Sequence, residues 1–382
     1  MLDTVRQFAH DKLLETGEVV TVHDAHLAYF LRFATEVCAS IPENYVASIA
    51  RMEGEIQNLL AAHVWCDQPH VPAEQGLELV ARTRRYWSGG GRFALGRQIF
   101  EEALRRSGAE RPTLQRADAL FSLGQHLVVI GRLEEAETSL AEALSIARDQ
   151  DARELQSICL GRLAYQRAAV GRQKEAGALA EEAINLARSI GTPRVLSISL
   201  YWLGTIRQFQ GRFDEAAVAI RDAIQLVPAG DLSNLNDCIR HLAQASIAQG
   251  HLDEARRQVT QSLLMARQHL AHAEIQSNIE TAARLAAAYG SWERAAWIQG
   301  AADAAADRLG IVRNAFDDPF LATLSKKPRE CLSEAAYEAE WTVGQTLELA
   351  TAVDAVLQWL EQPSSELRDR DGAGCGRPVS SG

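Results

Sequence analysis

The sequence predicts an all-α fold, a right-handed solenoid of antiparallel helix pairs with a period of about 40 residues. Three observations predict it: glycines recur at a nearly constant interval, small residues follow each glycine at fixed distances, and apolar residues precede it with helical spacing. Successive glycines are 40, 40, 40, 39 and 40 residues apart. They are Gly91, Gly131, Gly171, Gly211, Gly250 and Gly290.

Each recurring glycine is expected to end the first helix of a unit and to open the turn to the second. The left-handed backbone conformation of such a turn costs a residue with a β-carbon about 1–2 kcal/mol, whereas glycine adopts it freely. Acidic residues follow four of the glycines, as in Glu134 and Glu135. They would lie in the first turn of the second helix, where the helix dipole favours negative charge.

Small residues stand five and twelve places after each glycine, where we expect two helix backbones to cross closely. A larger side chain there would overpack the crossing at a cost of about 1–3 kcal/mol. The first set is Gly96, Ala136, Ala176, Ala216, Ala255 and Ala295, and the second is Ala103, Ala143, Ala183, Ala223, Ser262 and Ala302.

Apolar residues upstream of each glycine supply the face that the second helix would cover. Leu120, Leu123 and Leu127 precede Gly131 with the spacing i, i+3, i+7. That spacing places the three side chains on one stripe of an α-helix. Each unit is therefore predicted to be a helix, a tight turn and a second helix.

The combined pattern resembles the tetratricopeptide (TPR) repeat. Gly124, Gly131, Ala136 and Ala143 look like the small residues at the helix crossings of that family. The usual TPR period is about 34 residues, so the resemblance implies helices that are longer by about a turn in total. HEAT-like repeats have periods nearer 40 residues but lack this combination of glycine and alanine.

Length and charge limit the classes of function. The chain has 382 residues and a net charge of −11, which argues against direct binding to nucleic acid or to an anionic membrane surface. Six cysteines are scattered without a CxxC pair, which indicates reduced, mostly buried thiols. The N-terminus lacks the apolar core of a signal peptide, and we expect a cytoplasmic protein.

The segments that flank the repeats resemble parts of a larger family. Residues 2–18 read as a short helix stopped by Gly17, similar to the end of a winged-helix region, and residues 335–360 look like the closing helices of a TPR array. Together with the repeats they resemble the C-terminal portion of bacterial NB-ARC-like (STAND-class) signal-transduction ATPases and transcriptional regulators. With the six repeats at 73–310, the resemblance implies a winged-helix remnant at 1–18, an N-terminal helical cap at 19–72 and capping helices at 311–361. Residues 362–382 are rich in glycine, serine, proline and mixed charge, and we expect a disordered tail there.

The ATPase half of that family has no counterpart in this sequence. No Gly-x4-Gly-Lys-Ser/Thr loop occurs, and the nearest string, residues 91–98, has Arg97 in place of the lysine and Gln98 in place of the hydroxyl residue. The string also lies in a predicted helix–helix turn, without the strand that precedes a phosphate loop. The resemblance therefore implies no ATP chemistry for this chain, and we expect no cofactor.

Two histidine pairs, His23 with His26 and His269 with His272, have a spacing that could place both rings on one helix face. Neither pair has a cysteine or a third histidine at ligand spacing, so we interpret them as surface or capping residues rather than as a metal site. With no Gly-x-Ser-x-Gly motif either, we expect no catalytic residues and no enzyme activity.

The candidate binding surface is the face of the first helices that lines the inside of a TPR array. Positions ten and six places before each glycine change identity between units, so we expect them to be exposed, and their spacing of four puts both on one face. Rings would give a peptide or partner helix contact area, and amides and arginines would orient it; alternatively, the rings simply cover neighbouring units. The candidates are Phe121, Gln125, Tyr165, Tyr201, Thr205, Arg240, Gln244, Glu280 and Arg284.

Two functions agree with these features. The first is a non-catalytic TPR module for protein–protein interaction, serving as the sensory or partner-docking arm of an ATPase-type transcriptional regulator. The alternative is a stand-alone TPR assembly scaffold that is unrelated to transcription and able to self-associate through an end repeat. Both predict a protein or peptide partner.

Overall fold

The computed structural model of the chain describes residues 3–41, 44–89, 91–312 and 319–362. Within these ranges the regular secondary structure consists of twenty α-helices, without a strand. The all-α prediction is confirmed. Among the same residues, no helix is long and apolar enough to cross a membrane.

Four helices precede the first repeat: α1 (Asp3–Thr16), α2 (Val19–Ser40), α3 (Tyr45–Gly54) and α4 (Ile56–Trp65). Gly17 follows α1 with a φ of 70°, so the predicted stop at this glycine is confirmed. The buried side chains of Leu27, Phe30 and Val37 lie along α2. This helix packs against α3 and α4 and closes one end of the array.

The repeats form six successive units of paired helices. Their helices are α5 (Ala73–Arg82), α6 (Arg84–Gly89), α7 (Phe93–Arg105), α8 (Leu114–Val129), α9 (Leu133–Asp149), α10 (Arg153–Ala169), α11 (Gln173–Ile190), α12 (Pro193–Phe209), α13 (Phe213–Leu226), α14 (Leu232–Ala248), α15 (Leu252–Gln268), α16 (His272–Tyr289) and α17 (Trp292–Leu309). The two helices of a unit pack on each other, and each second helix also packs on the first helix of the next unit. The structure is therefore a solenoid of helix pairs, as predicted.

The turns and crossings have the predicted geometry. The backbone φ at the six recurring glycines lies between 69° and 83°. The alanines five and twelve places after them are at most 1% exposed, and Ser262 is fully buried. Residues such as Glu134, Glu135 and Asp214 lie in the first turn of a second helix. Local backbone requirements therefore set the positions of the turns.

The first unit departs from the regular pattern because its first helix is broken at Thr83 into α5 and α6. The Thr83 hydroxyl donates to the carbonyl oxygens of Leu79 and Val80, and accepts a hydrogen bond of 3.0 Å from Nε1 of Trp87. Trp87 is only 2% exposed. The break lets α6 leave the axis of α5, and α6 then contacts α16.

Three helices follow the repeats: α18 (Pro319–Cys331), α19 (Glu334–Gln345) and α20 (Leu349–Leu360). Helix α19 crosses α17 where Gly344 meets Gly300, so closely that a β-carbon on Gly344 would lie 2.0 Å from the carbonyl oxygen of Trp297. Cys331 is disulfide-bonded, so the expectation of reduced thiols is wrong for this residue. The predicted division of the chain into five parts stays a prediction, and residues 363–382 of the expected tail lie outside the described residues.

Candidate ligand-binding cavity

The first helices of the six units surround a cavity of about 840 Å³ on the inner face of the solenoid. Side chains from α6, α8, α10, α12, α14 and α16 line it, and α2 and α3 contribute Cys38 and Tyr45 at its edge. Since α6 to α16 follow one another around the superhelix, the cavity is lined by every unit. Its volume lies within the range of about 300–1,000 Å³ that is usual for ligand sites.

The solenoid turns far enough to meet itself and thereby closes the side of this cavity. The guanidinium of Arg85 on α6 donates to the carboxylate of Asp231, 146 residues further along the chain, at 3.1 and 3.2 Å. Asp231 is only 3% exposed in its side chain. The first unit is therefore held against the fifth by a largely buried ion pair.

The connection that follows α17 makes a second closure. The backbone N–H of Val312 donates to the carbonyl oxygen of Val129 at 3.0 Å, and the Val312 side chain lies against Gly131. Leu309 lies against Gly91 in the same way, where a β-carbon would be 2.2 Å from its Cδ2. Two of the turn glycines thus also make room for the far end of the array.

All nine residues predicted from the sequence line this cavity. Their exposure differs from the expectation, because five of them are at most 7% exposed. Closure of the superhelix and packing by neighbouring rings explain this difference. The buried residues are Phe121, Tyr201, Thr205, Gln244 and Arg284, and the partly exposed ones are Gln125, Tyr165, Arg240 and Glu280. Their role in binding a partner stays a prediction.

Trp202 is a cavity residue that sequence reasoning missed. Its ring lies 5.0 Å from that of Tyr165 and 4.6 Å from that of Tyr201. Gly161 makes room for it, since a β-carbon there would be 2.6 Å from Cδ1 of Trp202. Residue 161 lies ten places before Gly171, a position that large side chains occupy in the other units with candidate residues. A glycine there was the sequence feature that could have indicated a large neighbouring ring.

Charged groups are concentrated in the cavity. Seven arginines and six carboxylates line it, although the whole chain carries a net charge of −11. Four of the arginines form ion pairs: Arg82 with Glu78 at 3.5 Å, Arg85 with Asp231 at 3.1 Å, Arg240 with Asp237 at 3.0 Å and Arg284 with Glu280 at 3.2 Å. The inner face is therefore more positive than the outer surface.

Glu274 on α16 lies among these charges. Burial raises the pKa of its carboxyl group to about 8, and the carboxylate of Asp237 adds to the rise. The hydroxyl of Ser233, which donates to Glu274 at 2.6 Å, acts in the opposite direction, as do the charges of Arg240 and Arg85. The group changes charge near neutral pH.

Two other arginines, Arg84 and Arg162, form no ion pair with a described residue and lie beside aromatic rings. The guanidinium of Arg84 lies 5.4 Å from the ring of Phe121, and that of Arg162 lies 5.3 Å from Tyr165 and 5.1 Å from Trp202. Burial, followed by the charge of Arg85, lowers the pKa of Arg84 to about 10. Burial also lowers the pKa of Arg162.

The histidine pairs lie away from the cavity centre and contact aromatic rings. The ring of His23 stacks on Trp65 at 4.5 Å, and His26 lies 4.6 Å from Phe30. His269 contacts Tyr45 edge-on at 6.0 Å. In the part of the chain that the structure describes, no group of three or more histidine, cysteine or acidic side chains could hold a metal ion.

Comparison with protein families gives one partial match. The family of anaphase-promoting complex subunit 5 matches residues 101–161 and, in an overlapping second match, residues 151–210. These residues run from α7 to the end of α12 and include part of the cavity wall. The match covers less than half of the chain.

Proteins of Mycobacterium bovis and of two strains of Mycobacterium tuberculosis, described as proposed HTH-type transcriptional regulators, are similar to a part of this chain. Each is 30% identical over 105 residues, which is 27% of this chain and 12% of the relative. The chain thus matches about an eighth of the length of these relatives.

Solved structures show a distant likeness. A Rap protein complexed with Competence and Sporulation Factor has 13% identity and a TM-score of 0.49, covering 90% of this chain and 99% of that one. The Rap conjugation regulator of plasmid pLS20, in complex with the Phr* peptide, has 13% identity and a TM-score of 0.47, covering 85% and 98%. BtubC from P. vanneervenii has 17% identity and a TM-score of 0.38, covering 61% and 90%. Such low values carry no conclusion about this chain.

Proposed function

We propose that this chain is a non-catalytic binding module that holds an extended peptide segment of a partner protein in its central cavity. The observation that carries the proposal is the cavity inside the superhelical turn, which the six units line with arginine, amide and aromatic side chains. Such groups suit recognition of a peptide: rings give area, while amides and arginines bond its backbone and side chains.

Closure favours an extended segment over a folded domain. The ion pair between Arg85 and Asp231 and the hydrogen bond between Val312 and Val129 bridge the two ends of the superhelical turn. A folded domain could dock on an open concave surface, but it would have to break these contacts to enter. A single extended strand needs only the width of the cavity.

Amide groups inside the cavity support the same conclusion. The side chain of Gln125 is partly exposed there and has no hydrogen bond to another described residue. A glutamine amide both donates and accepts, as the peptide group itself does. Gln125 can therefore pair with the backbone of a bound segment, whatever its sequence.

The proposal extends to a role in gene regulation. Its support is the resemblance of the flanking helices to the STAND-class ATPases and the similarity of a part of the chain to the mycobacterial regulators. In such a protein this chain would be the sensory or partner-docking arm. The alternative, an assembly scaffold, would instead show self-association without peptide binding, which sedimentation of the purified chain measures.

The experiment is affinity selection from a soluble library of random, unmodified hexapeptides. We expect wild-type protein to enrich a related set of peptides, and the double variant Gln125→Ala/Arg194→Ala to bind them about tenfold or more weakly, a loss of about 1.4 kcal/mol. Both residues line the cavity. The proposal fails if no peptide is enriched.

The matched control is Gln57→Ala/Arg188→Ala, which removes the same two residue types from exposed positions on α4 and α11. Its affinity for the selected peptides should equal that of wild type. Equal losses in both double variants would place binding outside the cavity and contradict the proposal. Stoichiometric binding or hydrolysis of ATP by the purified chain would contradict its non-catalytic part.

A further inference from the structure

Arg162 is a buried cation that forms no ion pair with a described residue. The residue is 9% exposed, and among the described residues none accepts a hydrogen bond from its guanidinium; Nε is buried without a partner there. Arginine stays protonated in proteins, so the group keeps its charge inside the cavity. A buried charge is normally paired, because its desolvation is costly.

Three other arginines that line the cavity show what Arg162 lacks. Arg240 and Arg284 each have a carboxylate on their own helix within 3.2 Å, and Arg85 has Asp231 of the fifth unit at 3.1 Å. On α10 the position one turn before Arg162 is Ile158, which offers no charge. The missing partner therefore sets Arg162 apart from these three arginines.

The orientation of Arg162 leaves one edge available. The guanidinium lies over the rings of Tyr165 and Trp202, at 5.3 and 5.1 Å from their centroids, and a contact of this kind uses none of its N–H groups as a hydrogen-bond donor. Nε is enclosed by protein, whereas the Nη groups are not among the enclosed atoms. A group inside the cavity can thus approach the Nη groups in the plane of the guanidinium, as a bidentate acceptor does.

We propose that Arg162 is the subsite for a carboxylate of the bound peptide, the inference resting on the peptide-binding function proposed above. A planar monoanion with two oxygens matches the fork of the guanidinium. A phosphate dianion fits less well, because the charge of Asp237 on α14 also acts at this position. The carboxylate comes from the C-terminus of the peptide or from an aspartate or glutamate side chain.

The test uses the hexapeptides that wild-type protein selects, each resynthesised as the free acid, as the C-terminal amide, and with every Asp and Glu changed to Asn and Gln. These arms distinguish the two sources of carboxylate. We expect one of the two neutral forms to bind wild type about tenfold or more weakly, and to bind Arg162→Gln no more weakly than the free acid does. Arg162→Lys should recover part of the preference.

Two results would overturn the inference. If peptides are selected but their neutral forms lose affinity equally for wild type and Arg162→Gln, Arg162 is not the subsite, while the proposed function stands. If no peptide is selected, the proposed function fails. The carboxylate subsite is then tested separately, by comparing melting temperatures in sodium acetate and in sodium chloride at matched ionic strength. Acetate should then raise the melting temperature of wild type but not that of Arg162→Gln. The same effect of acetate on both proteins would overturn the inference.

A ligand-free measurement separates this role from a purely structural one. Because an unpaired buried charge destabilises the protein that holds it, Arg162→Met should melt at a higher temperature than wild type when no anion is bound. A cation retained only to support Tyr165 and Trp202 would give the opposite shift.

Discussion

Carboxyl groups on neighbouring helices oppose one another inside the cavity. Burial and the charge of Asp237 raise the pKa of Glu274 to about 8, against an ordinary value of 4.5. Between these two values the folded protein keeps a proton that the unfolded chain releases. The contribution of Glu274 to stability is therefore fully present below pH 4.5 and is lost as the pH rises to about 8.

Glu274→Gln should remove that pH dependence. The amide keeps an acceptor for the hydroxyl of Ser233 and has no proton to lose. Melting temperatures measured from pH 4.5 to about 8 should fall more steeply for wild type than for the variant. The exposed Glu181→Gln on α11 serves as the control and should follow wild type; parallel curves for all three proteins would contradict the assignment.

Tyr201 illustrates a candidate residue whose ring belongs to the core. It is 7% exposed and packs with Ile220, Cys238 and Leu242. Tyr201→Ala should lower the free energy of unfolding by about 3–5 kcal/mol, as for other large buried side chains. Tyr201→Phe keeps the ring, so chemical denaturation should show nearly wild-type stability. Equal stability of the two variants would place the ring outside the core.

The glycines of the second and capping helices differ in how much space a β-carbon would find. Gly344 faces backbone atoms of α17, whereas Gly177 of α11 has nothing within 4 Å of the site of a β-carbon. Gly344→Ala should therefore force α19 away from α17 and cost about 1–3 kcal/mol. Gly177→Ala should add about 0.5–1 kcal/mol, because alanine is the better helix residue.

Chemical denaturation of both alanine variants measures the contrast. The hydrogen bond of 2.9 Å from Nε1 of Trp341 to Asp303 joins the same two helices, so Gly344→Ala should also change tryptophan fluorescence in the folded state. A stable Gly344→Ala variant with unchanged fluorescence would show that the crossing can open without cost.

Much of the helix arrangement was predictable because a turn glycine reports a local backbone requirement. The six turns and the crossing alanines are confirmed, and all nine candidate residues line the cavity because the repeat sets the phase of each first helix. The break at Thr83 was not predictable, because it depends on the hydrogen bond that Trp87 donates to the Thr83 hydroxyl once the Trp87 ring is buried. The burial of Phe121 and Tyr201 agrees with the alternative interpretation, in which these rings cover neighbouring units, because both pack in core clusters formed by adjacent units.

The whole molecule is held closed by few contacts, and removing one should loosen it without unfolding the units. Asp231→Asn keeps the shape of the side chain but leaves Arg85 without its counter-ion. We expect faster hydrogen exchange in α6 and at the start of α14, and faster association of selected peptides, since the side of the cavity opens more often.

The control for that variant is Glu182→Gln. It weakens the ion pair with Arg148, in which both side chains are about half exposed, and such surface pairs contribute about 0–1 kcal/mol. Exchange in α6 and peptide association should stay at wild-type values. If Asp231→Asn behaves in the same way as this control, the ion pair between Arg85 and Asp231 does not hold the first unit against the fifth.

The hydrogen bond between Val312 and Val129 also restricts how this array can evolve. Repeat proteins ordinarily gain and lose units by duplication or deletion, since each unit contacts only its neighbours. Here one unit added between these two residues would move Val312 away from Val129 and break their hydrogen bond. Depending on where it is inserted, it would also separate Asp231 from Arg85. Selection that preserves the closed superhelix would therefore also preserve the number of units. Relatives with the same closure should differ in their loops and side chains but have the same number of repeats.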